Sequence, residues 1–143
     1  MRSAFWNSEA AFCWMLGELE RSHCRGLLNP NDAAAIFQEL LRCSRELSDR
    51  GSFNALISNG HWLYAYSGTR LHRLTRRAPF RQACLTDDDL SVDFSQLTQP
   101  QDVVTVLSTE PLTRDEPWTA LQRGEALLLR HGELVQQALP TAG

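Results

Sequence analysis

Cys13 lies in the stretch Trp6-Asn7-Ser8-Glu9-Ala10-Ala11-Phe12-Cys13-Trp14-Met15-Leu16, where a polar patch runs straight into a dense apolar pattern. A thiol becomes a nucleophile only as the thiolate, which needs a neighbouring cation or base. Phe12 and Trp14 supply neither, and an apolar setting raises a thiol's pKa, so Cys13 reads as a core cysteine. His23-Cys24 could ligate a metal, but no second pair stands at zinc spacing anywhere in the chain, and no metal is expected. The segment Thr69 to Arg81 (TRLHRLTRRAPFR) holds five arginines and His72 among Leu71, Leu74 and Phe80, a composition that could bind an anion or single-stranded nucleic acid. Asp87, Asp88 and Asp89 follow closely enough to neutralise much of it, which favours a solvated strand edge with one arginine held by a buried carboxylate. Thr109 to Trp118 (TEPLTRDEPW) reads as a rigid turn, its path set by Pro111 and Pro117 and anchored by Trp118. Neither a G-x-S-x-G elbow, a phosphate-binding G-x-x-x-x-G-K loop nor an H-E-x-x-H pair occurs, and no complete catalytic constellation can be assembled.

The elements that would position these residues follow from periodicity. Ala11, Phe12, Met15, Leu16 and Leu19 recur at helical spacing, predicting a helix from about Ser8 to Ser22, with Asn7 or Ser8 capping its first amides and Glu9 at its positive end. CRGLLNPND breaks the pattern, and Asn31 or Asp32 can cap a second helix whose buried stripe is Ala34, Phe37, Leu40, Leu41, Ser44 and Leu47, ended by Gly51. Beyond Gly51 the period falls to two. Ser52 to Ser58 and His61 to Tyr66 flank Asn59-Gly60, a dipeptide suited to a two-residue hairpin turn. Further strands are expected at Leu71 to Thr75, Leu90 to Phe94 and Asp102 to Ser108, the last with the near-continuous Val/Leu run of a centrally buried strand. A closing pair, Ala126 to Leu129 and Leu134 to Gln137, brackets the tight turn His131-Gly132. Two helices followed by a run of strands predict an α+β domain with an antiparallel sheet.

At 143 residues the chain has the size of a single domain. A net charge of −3 argues against generalised attraction to nucleic acid or acidic lipid. All 14 basic residues are Arg, which suits bidentate carboxylate recognition. Four cysteines without C-x-x-C spacing predict reduced thiols, and no apolar run approaches the roughly eighteen residues of a membrane helix, so a cytoplasmic protein is expected.

In order along the chain, NSEAAFCWML, RGSFNALISNG, SGTRLHRLTRRAPF, LSVDFS and VVTVLSTEPLTRDEPW, followed by RGE and HGEL, resemble the C-terminal half of a class II glutamine amidotransferase. Similarity is greatest to the stand-alone amidotransferase-like hydrolases that act on γ-glutamyl compounds. The resemblance covers nearly the whole chain, from Asn7 to about Leu134, and rests on the order and spacing of segments. It implies one amidotransferase domain over residues 1–143, N-terminally truncated, with a partial N-terminal-nucleophile αββα sandwich in which two N-terminal helices pack on antiparallel sheet.

In such enzymes an N-terminal cysteine attacks the γ-amide or γ-glutamyl carbonyl with its own α-amino group as base, while upstream donors hold the oxyanion. Here residue 2 is Arg2, and the chain contains no His-Asn-Gly, so the resemblance implies no catalytic residue in this polypeptide and no activity on its own. The family's Thr-Asp-Ser-Glu segment aligns with Trp6 to Glu9, which implies Asn7 and Ser8 as substrate-binding residues. Asn7 replaces the acid that pairs with the substrate's α-ammonium, and an amide accepts that hydrogen bond without the charge that makes it strong. The implied ligand is a small γ-glutamyl compound. No cofactor, nucleic acid or membrane partner is expected. A competing reading is a non-catalytic interaction domain that pairs with itself or with a separate N-terminal half, because a sandwich lacking its first strands leaves apolar surface to cover.

Overall fold

A computed structural model of the chain describes residues 7–22, 33–80, 82–86, 91–93 and 99–140. Helix α1 spans Ser8–Arg21 and α2 spans Ala33–Arg50. Among the described residues they are followed by nine strands: β1 Asn54–Ser58, β2 Leu63–Ser67, β3 His72–Arg77, β4 Gln82–Cys84, β5 Ser91–Asp93, β6 Val103–Ser108, β7 Thr119–Ala120, β8 Glu125–Arg130 and β9 Glu133–Ala138. Every named strand pair is antiparallel, in a four-stranded sheet ordered β1-β2-β8-β9, a three-stranded sheet ordered β6-β3-β7, and the pair β4-β5. The α+β class with two helices on antiparallel sheet is therefore observed.

Side-chain alternation divides the core into two layers. Trp62, Tyr64, Tyr66, Ala126 and Leu128 point to the helices, where they meet Ala11, Met15 and Leu19 of α1 and Ile36, Phe37, Leu40 and Leu47 of α2. Ala65 and Leu127 point the other way and are sealed by Leu71 and Leu121, with Leu107 packed alongside. Strand β8 (EALLLR) is thus buried on both faces. Within the helix-facing layer the Tyr64 hydroxyl donates to Ser44 Oγ at 2.9 Å, and its ring stands edge-on to Phe37 at 5.8 Å.

Several expectations need correction. Burial in α1 follows the strict i, i+4 series Ala11, Met15, Leu19, so Phe12 and Cys13 fall on its outer side and both are exposed. Cys13 is not a core cysteine; between it and Cys43 of α2, the buried thiol is Cys43. Ala34 is exposed in the first turn of α2, and Ile36 and Cys43 take places in the stripe instead. Asn59-Gly60 does not form a two-residue turn. Four residues, Asn59 to Trp62, join β1 to β2, and Asn59 Oδ1 accepts from the amides of His61 and Trp62 at 2.9 and 3.2 Å. A two-residue turn of that kind needs positive φ at both central positions, a condition met at His131 (φ 51°) and Gly132 (φ 76°) between β8 and β9. Strand β6 is an edge of its sheet and not a central strand; the doubly buried role belongs to β8. The expected cap of the second helix and the pair His23-Cys24 lie outside the described residues.

Candidate functional site

Asn7 ends the extended approach to α1 and caps it: its Oδ1 accepts the Ala10 amide at 2.8 Å, and its carbonyl accepts the Ala11 amide at 3.1 Å. This is the usual bargain of an N-cap, in which a short polar side chain satisfies one of the amides a helix start leaves open. Capping fixes the direction of the amide group. Its only oxygen is engaged by the helix, and its nitrogen offers donors.

Asn7 and Ser8 border a cavity of about 580 Å³ enclosed by the start of α1, the end of α2 and strand β1. Ala11, Phe12 and Met15 contribute the helix side; Arg50, Gly51, Ser52 and Phe53 turn the corner from α2; Asn54 to Ile57 form the strand side. The corner is fixed by Asn54, whose Oδ1 accepts the amides of Gly68 and Thr69, each at 3.0 Å, while its Nδ2 donates to the Arg70 carbonyl at 3.2 Å. Arg50 Nη2 donates to Glu46 Oε1 at 2.7 Å, an exposed i, i+4 pair. Phe12, 46% exposed, is thereby explained: it leaves the core to wall this cavity. Among the described residues, no aspartate or glutamate lines it. Of the lining residues, sequence reasoning singled out Asn7 and Ser8 as binding groups and missed Arg50, whose only signal was its place beside the helix-ending Gly51.

The arginine-rich segment has another role. Arg76, on β3, forms a bidentate pair with Glu116 at 2.7 and 2.5 Å, and Glu116 also accepts from Thr113 Oγ1 at 2.6 Å. Trp118 Nε1 donates to the same Thr113 hydroxyl at 2.8 Å. The guanidinium of Arg76 holds the Glu116 carboxyl below its ordinary range against the opposing effect of burial. Arg70 pairs with Glu110, and Arg77 with Glu133. The carboxylates opposite this segment are thus three glutamates brought in by tertiary structure; Asp87 to Asp89 lie outside the described residues. Residues 109–118 form an irregular connection between β6 and β7, with Thr113 buried and Trp118 hydrogen-bonded to it.

A family model described as class II glutamine amidotransferases matches residues 6–142. The chain belongs to this family. Among its curated relatives, the Escherichia coli protein named "Putative glutamine amidotransferase YafJ" is 45% identical over 129 residues, which cover 90% of this chain and 49% of YafJ. A Haemophilus influenzae protein that also carries the name "Putative glutamine amidotransferase" is 35% identical over 135 residues, 94% of this chain and 45% of its own. The crystal structure of a "predicted glutamine amidotransferase" from Pseudomonas aeruginosa superposes with a TM-score of 0.79 at 42% identity, covering 95% of this chain and 53% of that one. The chain therefore spans about half the length of the curated relatives it matches. As an amidotransferase-family chain it has, among the described residues, no helix long and apolar enough to cross a membrane.

Proposed function

We propose that this chain carries part of the substrate pocket of a class II amidotransferase of the γ-glutamyl-hydrolysing type, with Asn7 and Ser8 as the residues that meet the substrate. The observation that supports this most is the cavity at the start of α1. The two residues singled out by resemblance border a space of about 580 Å³, within the size range of small-molecule sites, walled by apolar side chains and a few convergent polar groups. In this reading the N-terminal-nucleophile sandwich is only partly represented by these residues, and the chemistry depends on parts they do not contain: a Cys at position 2 and a His-Asn-Gly segment. The 143-residue polypeptide alone then binds a γ-glutamyl compound without hydrolysing it. Purified chain incubated with L-glutamine or a γ-glutamyl amide is expected to release no glutamate. Release that disappears on Asn7→Ala would overturn the proposal, and dependence on Cys13, tested by Cys13→Ala, would make that exposed thiol the nucleophile.

One observation favours a second reading, an interaction domain in the cytoplasm that pairs with itself or with a complementing N-terminal half. Leu56 is 53% exposed on β1, although its neighbour across the strand pair, Ala65, is fully buried. The four-stranded sheet therefore ends in a strand whose inter-sheet face is uncovered, with no charge, proline or bulge in NALIS to guard its edge. On this reading size-exclusion chromatography shows a species larger than the monomer, and a well-behaved monomer argues against it.

A further inference from the structure

We propose that a second, smaller cavity, where the β1–β2 loop meets the β8–β9 turn, is a two-histidine site for a first-row divalent transition metal such as Zn²⁺ or Ni²⁺, with one ring nitrogen each from His61 and His131 as the protein ligands. It is independent of the γ-glutamyl reading and shares no residue with that pocket. The cavity holds about 280 Å³, and both histidines border it together with Leu63, Thr105, Leu129 and Gly132. Leu63 and Leu129 are the last pair of the β2–β8 ladder. Two positions further out, the same antiparallel register sets His61 opposite His131, on the face the two leucines share. Side chains opposite one another on neighbouring strands are close enough to meet a common ion. Seventy positions separate the two histidines along the chain, so no spacing motif reports the pair.

Both histidines are carried by fixed backbone while their rings stay available. The loop under His61 is held by Asn59 Oδ1, which accepts the amides of His61 and Trp62 at 2.9 and 3.2 Å, and by Ser58 Oγ, which donates to the Trp62 carbonyl at 2.7 Å; the Trp62 side chain is buried beside it. His131 sits at φ 51°, the one left-handed non-glycine residue among those described, where Asn or Gly would sit with less strain. Its turn is clamped to β6: Thr105 Oγ1 donates to the Gly132 carbonyl at 2.6 Å and lies 2.8 Å from Thr75 Oγ1. Among the described residues neither ring takes part in a hydrogen bond or ion pair, and both side chains are exposed, whereas His72 Nδ1 lies 3.1 Å from the Thr109 carbonyl. An imidazole near neutral pH is largely uncharged and offers a lone pair, which suits Zn²⁺ and Ni²⁺ rather than an anion. Glu133, the acid next along the chain, is paired with Arg77, and among the described residues no set of three or more His, Cys, Asp or Glu converges. Water therefore completes the coordination, and binding is reversible.

The chain has four histidines, His23, His61, His72 and His131, and their ring nitrogens can be followed by long-range ¹H–¹⁵N spectra while the full chain is titrated with ZnCl₂ near neutral pH. His61 and His131 are expected to shift together with one midpoint, and His72 to stay where it is. Loss of either ring breaks the chelate. His61→Gln should therefore weaken Zn²⁺ at His131, and His131→Asn at His61, each by about 10-fold or more. Asn suits the left-handed position, so the second variant keeps the turn, and far-ultraviolet dichroism checks the fold of both. Separate midpoints for the two rings, an unchanged midpoint at one ring when the other is replaced, or Zn²⁺ uptake that moves neither ring because thiols take the ion, overturns the site. Absence of any ring shift up to about 1 mM ZnCl₂ overturns it as well.

Discussion

Cys13 and Cys43 show how strongly the side of a helix governs a thiol. Cys13 sits on the outer side of α1, whereas Cys43 is buried in α2 with its thiol pushed up to about 12, chiefly by burial. Iodoacetamide at neutral pH should therefore alkylate Cys13 in the folded protein, with Cys43 reacting only on unfolding; peptide mapping by mass spectrometry distinguishes them, and early modification of Cys43 would contradict its burial. Glu116 offers a residue whose charge matters to stability. Because its folded pKa lies below its ordinary value near 4.5, the Arg76–Glu116 pair contributes fully above that value and its contribution is lost as the pH falls through the lowered one. Glu116→Gln should cost about 2 kcal/mol at pH 7, since it leaves Arg76 short of its partner at a half-buried position, and should flatten the loss of stability in acid. Urea titrations at neutral and acid pH measure both effects. At this scale Asn7 was legible in sequence as a cap and as the residue aligned with the family's acid. Its commitment of Oδ1 to the helix was not, because which atom caps depends on a local geometry that the residue type leaves open.

Elements were legible wherever one periodicity held without competition. Both helices and the closing hairpin fall within one or two residues of expectation, since an apolar stripe at 3.6 spacing or a strict alternation has one structural solution. Errors arose where two devices compete. The dipeptide Asn59-Gly60 alone predicts a two-residue turn, yet the Asn59 side chain accepts from two backbone amides and opens a four-residue loop; His131-Gly132 makes the tighter turn. The contrast is measurable. Gly132→Ala adds a Cβ 2.2 Å from the Val103 carbonyl at a position of positive φ and should cost about 3 kcal/mol. Gly60→Ala also has positive φ but meets nothing within 4 Å, and should cost only about 1 kcal/mol. Equal losses in thermal or urea unfolding would contradict the difference in crowding. The Val-rich run of β6 predicts a central strand because composition reports burial and not sheet order. Strand β6 is an edge, and order depends on pairings that are distant in sequence.

At the scale of the molecule, the family is shown by a match across residues 6–142, while the chain accounts for about half the length of the curated relatives. Two features of the structure bear on what such a chain can do. One is β1, an edge with Leu56 uncovered; on the interaction reading, Leu56→Lys should shift a self-associated species toward monomer in size-exclusion chromatography, and an unchanged elution would detach β1 from any association. The other is the cavity walled by Asn7, Ser8, Arg50 and β1, on which the functional account depends. One part of that lining, Asn7 and Ser8, lies in the polar patch at the start of the first helix, which the resemblance aligns with a family segment. Another part comes from residues 40 to 50 positions away, joined to the first only when α2 folds back beside α1 and leads into β1. The most direct test is a ¹H–¹⁵N titration of the 143-residue chain with a γ-glutamyl amide. Saturable shifts clustered at Asn7, Ser8 and Arg50 to Ile57, all weakened by Asn7→Ala, are the expected result; shifts confined to the smaller cavity around His61 and His131, or no saturable shifts at all, would contradict the account.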